Sequence, residues 1–397
     1  ADAMAELFGE TLTQHDIRRR SGQLAAYGGV RLMELSDGSE RGIRMLEFRT
    51  GSGLRFTVLV DRAMDIAEVE WRGASLGWHG PSGLRSAALH EPEGEGGFGW
   101  ARSFTGFLVT CGLDHILGPE EVDASHYGYP GVRTRRHGLH GRIANIPARL
   151  TGYGEIWDGD RCILWAEGTM RQATTFGEHL VLTRRIEADL GGQEIRLTDH
   201  VVNEGFAPTP HMFFYHVNLG APLLGEGARY VAPIADVVWA AHAERYRDQS
   251  TGYARIPAPQ DRFAEQVWQH EAAADDHGEV HVALLNDRLG LGLQVTTRKD
   301  QLPCLYEWQH FQSGAYALGI EPSTHHVLGN QAARDRGEMI WLTAGASCRY
   351  DARFTVLDGA AALSAAETRI RANTAQPDDP YPTPSGNFRP LTGRPQI

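Results

Sequence analysis

Short stretches of alternating polar and apolar residues recur along most of this 397-residue chain, and Gly, Asp or Asn separates them. Alternation with a period of two is the pattern of a β-strand with one buried face. The clearest stretches are 42–49, 55–60, 162–170, 181–188, 194–203, 280–286, 290–296 and 347–357. A turn around Gly191 joins 181–188 to 194–202, which predicts a β-hairpin. Strands that follow one another without helices between them predict an all-β fold, a large antiparallel sandwich.

Helical periodicity is rare in this sequence. Thr11–Arg20 and Asp236–Tyr246 could form short helices, and Ala360–Arg371 shows the strongest helical pattern. The last residues are rich in Pro, Gly and Asn, which predicts an extended arm that is either disordered or lies on the body or on a partner subunit. The predicted division is an N-terminal extension that packs on the sandwich (1–40), the sandwich (41–373) and the C-terminal arm (374–397).

The composition of the chain argues against some kinds of binding partner. A formal net charge of −12 argues against general binding to nucleic acids or anionic membranes. No apolar run approaches the roughly 20 residues of a membrane-spanning helix, and the first residues lack the apolar core of a signal peptide. The four cysteines are widely spaced without a CxxC pair, which is typical of reduced thiols. We therefore expect a cytoplasmic protein that binds neither nucleic acid nor membrane.

A carboxylate stands where an apolar run meets a proline. Residues 315–320 predict a buried strand that leads into Glu321, and Pro322 cannot continue a sheet ladder. Burial at such a strand end raises the pKa of a carboxyl group towards neutral pH, which suits a general base. Glu307 and Trp308 stand in the preceding run, CLYEWQH. The alternative interpretation of Glu321 is a structural glutamate paired with an arginine.

An aromatic run carries two histidines. In HMFFYHVNLG, His216 and Asn218 project from the same face of the predicted strand, whereas His211 projects from the other. An imidazole and an amide on one face can hydrogen-bond a sugar, and the imidazole can donate a proton. We therefore predict that His211 is a packed or edge histidine and that His216 is functional.

A third stretch, RHGLHGRIANIPA, places a histidine between glycines. Gly138 and Gly141 flank His140 and let the backbone approach a ligand closely. Arg142 is the nearest permanent cation and can bind a hydroxyl pair, a carboxylate or a sulfonate. His137 is predicted to be a solvated loop residue, and for His140 the functional and the structural interpretation both stay open.

Four stretches, taken in order, resemble a known family. They are DRAMDIAEVEWRGASLGWHGPSG (61–83), HGLHGRIANIPA (137–148), FFYHVNLG (213–220) and YALGIEP (316–322). Over roughly residues 40–357 the chain is similar to the galactose mutarotase-like (aldose 1-epimerase-related) superfamily, and most closely to its bacterial branch, domain of unknown function 4432. The resemblance implies a β-supersandwich with few short helices and a sugar site on a concave sheet surface.

The resemblance also implies roles for individual residues. In true mutarotases a glutamate deprotonates the anomeric hydroxyl, and a histidine protonates the ring oxygen as the ring opens. The matched motifs put the base on Glu321, the acid on His216 and a second, substrate-stabilising histidine on His140. The sequence departs from the family around Arg62 and Asp65, where the usual sugar-binding Asn-Arg context is replaced. The substrate-binding candidates are Arg142, Asn218, Trp308, Glu307, Arg62, Asp65, Trp78 and His211.

The predicted activity is that of an aldose 1-epimerase-like isomerase (the EC 5.1.3 type) that needs neither a metal nor another cofactor. Its partner is a small sugar or an acidic or sulfonated sugar derivative, and we also consider a homodimer. For this activity Glu321 should lie within about 10 Å of His216, because proton transfer needs hydrogen-bond reach to one sugar ring. His140 should join them in one pocket, with Trp308 and Arg142 in it or beside it.

Two other classes of function remain open. A non-catalytic carbohydrate-binding protein could stack sugars on its tryptophans without chemistry. A metal-dependent sugar isomerase or lyase could draw its ligands from the histidines and Glu321, although no HxH or HExxH spacing is present. The tryptophans are Trp78, Trp100, Trp239 and Trp308, and the histidines are His140, His211, His216, His325 and His326.

Overall fold

The computed structural model of the protein describes residues 4–241, 252–372, 374 and 381–397. Twenty-four β-strands lie in these ranges. The first twelve are β1 (Ala5–Leu7), β2 (Glu10–Leu12), β3 (Gly29–Glu34), β4 (Arg44–Arg49), β5 (Leu54–Leu59), β6 (Asp65–Trp71), β7 (Ala74–Ser75), β8 (Leu108–Leu113), β9 (Glu120–Asp123), β10 (Thr134–His137), β11 (Arg149–Asp158) and β12 (Arg161–Ala173). The other twelve are β13 (His179–Asp189), β14 (Glu194–Asn203), β15 (Thr209–Gly220), β16 (Arg229–Val231), β17 (Ile234–Ala240), β18 (Gln266–Ala272), β19 (Glu279–Asn286), β20 (Leu291–Arg298), β21 (Cys304–His310), β22 (Ala317–Ser323), β23 (Ile340–Leu342) and β24 (Ser347–Asp358).

Most of the strands form two large antiparallel sheets. The smaller sheet has eight strands in the order β11-β12-β13-β14-β24-β20-β19-β16. The larger sheet follows the order β17-β18-β21-β22-β15-β8-β6-β5-β4-β3, with β23 on β15 and β7 on β6. The predicted hairpin is present, because β13 pairs with β14 in antiparallel register. The prediction of a large antiparallel β-sandwich is confirmed.

The apolar faces of the two sheets meet in a continuous core. Phe107, just before β8, contacts Phe354 on β24 with ring centroids 5.1 Å apart, and Phe213 stacks on Tyr350 at 4.4 Å. Burial of one such side chain contributes roughly 1.5–3 kcal/mol. Every second residue of β12 is buried, as the alternation predicts, whereas β15 is buried along its whole length. Other segments must therefore cover the outer face of β15, and that face carries the candidate site.

Helices are few and short in the described part of the chain. They are α1 (Gln14–Arg20), α2 (Asn330–Asp335) and α3 (Ala360–Arg371). Thr13 caps α1 through a reciprocal pair of hydrogen bonds with Asp16, so this helix begins after residue 13 and not at the predicted residue 11. The prediction for α3 is confirmed at both ends. Among the described helices, none combines the length and the apolar character needed to cross a membrane.

Two sequence predictions about element type or length are wrong. The described part of Asp236–Tyr246 contains strand β17 instead of a helix, because Val237 and its neighbours pair with β18; residues 242–246 lie outside the described residues. Strand β22 does not end at Glu321 but runs through Pro322 to Ser323. Between Ile320 and Ser323 no residue pairs are formed with β15, so the missing N–H of the proline breaks no bond there.

The two ends of the chain lie against the sandwich. Strand β3 pairs with β4 at the edge of the larger sheet, so the sheet begins before the predicted boundary at residue 41. In the arm, the Tyr381 ring packs on Trp268 at 4.6 Å, and the N–H of Ser385 donates to the Val237 carbonyl. The described part of the arm thus covers β17, the other edge of this sheet, which would otherwise offer free backbone groups.

Candidate active site

Neighbouring strands of the larger sheet carry the two main candidate residues. Val217 on β15 pairs with Ile320 on β22, and this register puts His216 opposite Glu321. Val217 and Ile320 belong to the core between the sheets. Because successive side chains of a strand point to opposite faces, His216 and Glu321 project from the outer face. A separation of 105 residues in sequence is thus bridged by direct strand pairing.

The His216 ring contacts Asn218 on one side and Glu321 on the other. Nδ1 of His216 lies 2.5 Å from Asn218 Oδ1, and Asn218 Nδ2 donates to the Gly106 carbonyl. Because that carbonyl can only accept, it fixes the amide orientation, and Nδ1–H therefore donates to Oδ1. The ring nitrogen of His216 that is left to face other groups is then Nε2, which lies 2.8 Å from Glu321 Oε1. The structure thus brings the two predicted proton-transfer groups into hydrogen-bond reach.

Nε2 and Oε1 are close enough to hold one proton between them. If Nε2 were unprotonated and the carboxylate ionised, two lone pairs would face each other at 2.8 Å and repel. The pair therefore holds either an imidazolium with a carboxylate or a neutral imidazole with a carboxylic acid. Oε1 approaches Nε2 too obliquely for a good hydrogen bond and is buried without another partner. The pair can hold one proton and keeps unused capacity to bind a polar ligand.

A glycine makes room for the Glu321 carboxylate. Gly319 lies on the same face of β22, two residues before Glu321, and pairs with Trp308 on β21. A Cβ atom at this position would lie 2.8 Å from Glu321 Oε1 and 2.9 Å from Trp308 Cβ. Any side chain here would therefore displace the carboxylate. Sequence analysis missed Gly319, although a glycine inside an apolar strand is a recognised sign of close approach.

His140 reaches the same site from a loop. Its φ of 58° is uncommon for a residue other than glycine. The loop is held to β8 because the N–H of Gly112 donates to the His140 carbonyl, and the N–H of Leu117 donates to His140 Nδ1 at 3.1 Å. The ring proton is therefore on Nε2, and burial together with the neighbouring His216 holds the pKa of His140 well below its usual value. His140 is a neutral donor with its ring centroid 5.7 Å from that of His216.

Aromatic rings surround His216. The ring of Phe104 lies 4.8 Å away, that of Trp308 5.2 Å and that of Trp100 6.4 Å. Trp78 packs edge-on against Trp308 at 5.8 Å. The structure thus brings Trp78 and Trp308 to the site, and adds Phe104, which sequence analysis did not single out. Apolar walls with a few polar groups are typical of small-molecule sites.

Two predicted substrate-binding carboxylates face the core instead. Glu307 projects from the core face of β21, where Gln309 Nε2 donates to it at 2.8 Å. Burial raises the pKa of Glu307 well above its usual value, which favours the protonated form. Asp65 is also in the core and accepts hydrogen bonds from Thr110 and Arg184. The prediction that Glu307 and Asp65 bind substrate is therefore wrong, because neither lies on the outer face.

Two further histidine predictions are settled by hydrogen bonding and burial. Both ring nitrogens of His211 are occupied, Nδ1 by the Leu113 carbonyl and Nε2 by the Tyr350 hydroxyl. His211 is thus the packed core histidine that its strand position predicts, and its place among the substrate-binding candidates is wrong. His137 is buried and stacks on His115 at 4.7 Å, so the prediction of a solvated loop residue is wrong as well.

The five histidines that were considered as ligands for a metal-dependent enzyme do not all lie at one place. Nε2 of His325 bonds the Glu338 carbonyl, and Nε2 of His326 bonds the Arg389 carbonyl. Within the described ranges, one group of side chains lies close enough together to share a metal ion, and it is at β19 of the smaller sheet. This group consists of Asp275, Glu279 and His281.

The two predicted arginines bind other protein groups. The buried Arg62 donates to three backbone carbonyls, one of them that of Ser103, and burial lowers its pKa to about 10. Arg142 donates to the carboxylates of Glu93 and Glu178. Both side chains cross-link segments around the site. A substrate-binding role for either arginine, and with it an acidic substrate, stays a prediction.

The sequence matches the model of one protein family. The model described as Domain of unknown function (DUF4432) matches residues 40–356. The chain belongs to this family. Among curated proteins, none matches the sequence significantly. The predicted membership of the DUF4432 branch is confirmed.

Solved structures share the architecture of this member of the DUF4432 family. A candidate aldose 1-epimerase from Klebsiella pneumoniae is 25% identical, with a TM-score of 0.77 and 86% of each chain covered. A galactose mutarotase-like protein from Clostridium acetobutylicum is 12% identical, with a TM-score of 0.55, 83% of this chain and 98% of that chain covered. The galactose 1-epimerase from Lactobacillus acidophilus is 12% identical, with a TM-score of 0.51 and coverages of 83% and 99%. The DUF4432 protein therefore has the galactose mutarotase-like fold.

Proposed function

We propose that this protein is a sugar isomerase of the aldose 1-epimerase type, which interconverts sugar anomers or epimers by proton transfer through Glu321 and His216. The observation that carries the proposal is the 2.8 Å contact between His216 Nε2 and Glu321 Oε1, with the His216 tautomer fixed by Asn218. The structural similarity to a candidate aldose 1-epimerase supports a sugar as substrate.

The two groups suit the two oxygens of an anomeric carbon. Glu321, as the carboxylate, takes the proton of the O1 hydroxyl, and the O–H electron pair becomes the second bond of the C1 carbonyl. The C1–O5 bond breaks, its electrons stay on O5, and O5 takes the proton of His216 Nε2. Rotation about C1–C2 and the reverse steps close the ring on the other face. The pair then returns to its starting protonation state.

The neighbouring residues support this chemistry. Asn218 keeps the Nδ1 proton of His216 engaged, so proton transfer occurs at Nε2. The neutral His140 offers an Nε2–H donor that can stabilise negative charge on a sugar oxygen. Trp78 and Trp308 supply apolar faces for the C–H side of a sugar ring.

The direct test compares Glu321→Gln with the wild type in anomer exchange of neutral hexoses, hexuronates and sulfonated hexoses, followed by magnetisation-exchange NMR. Turnover should fall by roughly 10²-fold or more because the general base is lost. Affinity, measured by calorimetry, should change less, since Trp78 and Trp308 remain. Glu307→Gln is the matched control, because it changes a buried glutamate of the same sheet that faces the core.

Three outcomes would contradict the proposal. Full activity of Glu321→Gln would remove its base. A wild-type protein that binds a sugar of these classes without speeding its exchange would be a carbohydrate-binding protein. Inactivation by EDTA that zinc or manganese reverses would indicate the metal-dependent isomerase, because the proton-transfer pair needs no metal to polarise the ring oxygen.

A further inference from the structure

The proton-transfer pair is closed off from solvent. His216 is 3% exposed and Glu321 4%, and Glu321 Oε1 is out of contact with water. The tryptophans around the pair, Trp78, Trp100 and Trp308, are buried as well. No sugar can reach Nε2 and Oε1 in this arrangement. At least one of the covering side chains must move before a ligand binds.

Phe104 is the ring at the centre of this cover. Its centroid lies 4.5 Å from Trp100, 4.8 Å from His216, 5.1 Å from Trp78 and 5.4 Å from Trp308. Phe104 is partly exposed, whereas the four rings that it contacts are buried. Phe104 therefore separates the pair from solvent. Its six-membered ring, which is close in size to a pyranose ring, packs against Trp78 and Trp308, and these two rings contact each other edge-on at 5.8 Å.

The other walls are better anchored than Phe104. Trp308 belongs to β21, donates from Nε1 to Glu265 at 2.8 Å and stacks on His310 at 5.3 Å. Trp78 is tied by its backbone, because its N–H donates to the Asn218 carbonyl at 3.0 Å. Phe104 follows a short 3-10 segment, and its side chain has no polar group that could hold it in place.

The backbone next to Phe104 is fixed, so the motion belongs to its side chain. Thr105 Oγ1 accepts the N–H of Gly80 at 2.7 Å. The Gly106 carbonyl accepts Asn218 Nδ2, and this bond also orients His216. Opening of the whole segment would disturb the catalytic tautomer, whereas rotation of one side chain about χ1 leaves these bonds intact.

On the basis of the proposed function, we propose that Phe104 is the gate of the site. Its ring occupies the place of the sugar ring in the free protein and swings outward when a pyranose takes its place against Trp78 and Trp308. We infer a pyranose as the substrate class because its six-membered ring is close in size to the phenyl ring that it replaces. A closed gate also keeps water away from the proton shared by His216 and Glu321.

Chemical labelling without any sugar tests the gate directly. Diethyl pyrocarbonate acylates accessible neutral imidazoles, and peptide mass spectrometry reports the rate at each histidine. In the wild type His216 should react at least about 10-fold more slowly than the exposed His277, since minor open states are commonly populated to 10% or less. Phe104→Ala should remove most of this protection, and Phe104→Leu, which keeps more of the packing, should remove part of it.

Phe98→Ala is the matched control, because Phe98 lies in the same segment and is 54% exposed. In this variant His216 should react at the same rate as in the wild type. The gate is overturned if wild-type His216 reacts as fast as His277, or if His216 reacts no faster in the Phe104 variants than in Phe98→Ala. Because labelling needs neither sugar nor turnover, it tests whether Phe104 is a gate even if the proposed activity is not found.

A kinetic measurement then tests the displacement of Phe104 by the sugar. If the closed gate reduces the fraction of binding-competent protein, Phe104→Ala should lower KM by roughly 10-fold and change kcat by a smaller factor. A merely structural Phe104 would instead lower kcat when truncated. A KM that stays unchanged or rises in a protein whose His216 has become reactive would overturn the displacement by a pyranose.

Discussion

Tyr215 and His216 are neighbours on β15, yet their side chains join two different buried clusters. Tyr215 points into the core and donates to Asp199 at 2.6 Å, where Arg184 bridges that carboxylate to a second aspartate. His216 points to the outer face and contacts Glu321 at 2.8 Å. One dipeptide thus supplies a polar group to each face of the same sheet.

The two clusters differ in how completely their polar atoms are satisfied. The guanidinium of Arg184 has five N–H groups, and it donates five hydrogen bonds of 2.7–3.1 Å. The acceptors are Asp199, Asp65, Thr110 and Ala63. In the outer cluster Glu321 Oε1 has no good hydrogen bond. A fully satisfied buried network stabilises one structure, whereas an incompletely satisfied one retains capacity for a ligand.

The largest effect should come from Arg184, the cation of the inner cluster. Arg184→Leu leaves Asp65 and Asp199 buried without their partner, and the free energy of unfolding should fall by about 3–5 kcal/mol. Urea denaturation measures the change. A triple variant that also carries Asp65→Asn and Asp199→Asn removes the unpaired charges and should recover most of the loss. If Arg184→Leu is as stable as the wild type, the inner cluster is not structural.

A smaller effect, on turnover, should follow from Gly319→Ala in the outer cluster. The added methyl group would lie 2.8 Å from Glu321 Oε1 and must displace the carboxylate. A misplacement of about 1 Å can lower a rate by on the order of 10²-fold. Steady-state kinetics of the folded variant measures the loss. Gly118→Ala is the control, since its Cβ meets no atom within 4 Å, and equal activity of the two variants would contradict the role of Gly319.

The smallest effect should come from Glu307→Gln, which changes the pH dependence of stability and leaves turnover unchanged. Burial raises the folded-state pKa of Glu307 above its usual 4.5. Between these two values the folded protein keeps a proton that the unfolded chain has lost, so the free energy of unfolding falls as pH rises. Urea denaturation at about pH 5 and about pH 8 should show a smaller loss for the variant than for the wild type. Parallel losses would show that Glu307 is ionised in the core.

The order of residues along the chain was enough to predict most strands and the faces of their side chains. Alternation with a period of two is a local property, so it predicted the β13–β14 hairpin, the shared face of His216 and Asn218, and the opposite face of His211. The ordered motifs also identified the family and the fold. These conclusions needed no knowledge of which distant strands pair.

Which polar groups meet depends on how distant strands and loops pack together. Glu307 and Glu321 look alike in sequence, but the pairing of β21 with β22 sends one carboxylate into the core and the other to His216. Arg62 and Arg142 bind acceptors that are distant in sequence. Phe104 covers the site but lies outside the motifs that the sequence analysis recognised. The physical reason is that hydrogen-bond partners and burial depend on contacts between residues far apart in the chain, which local periodicity does not encode.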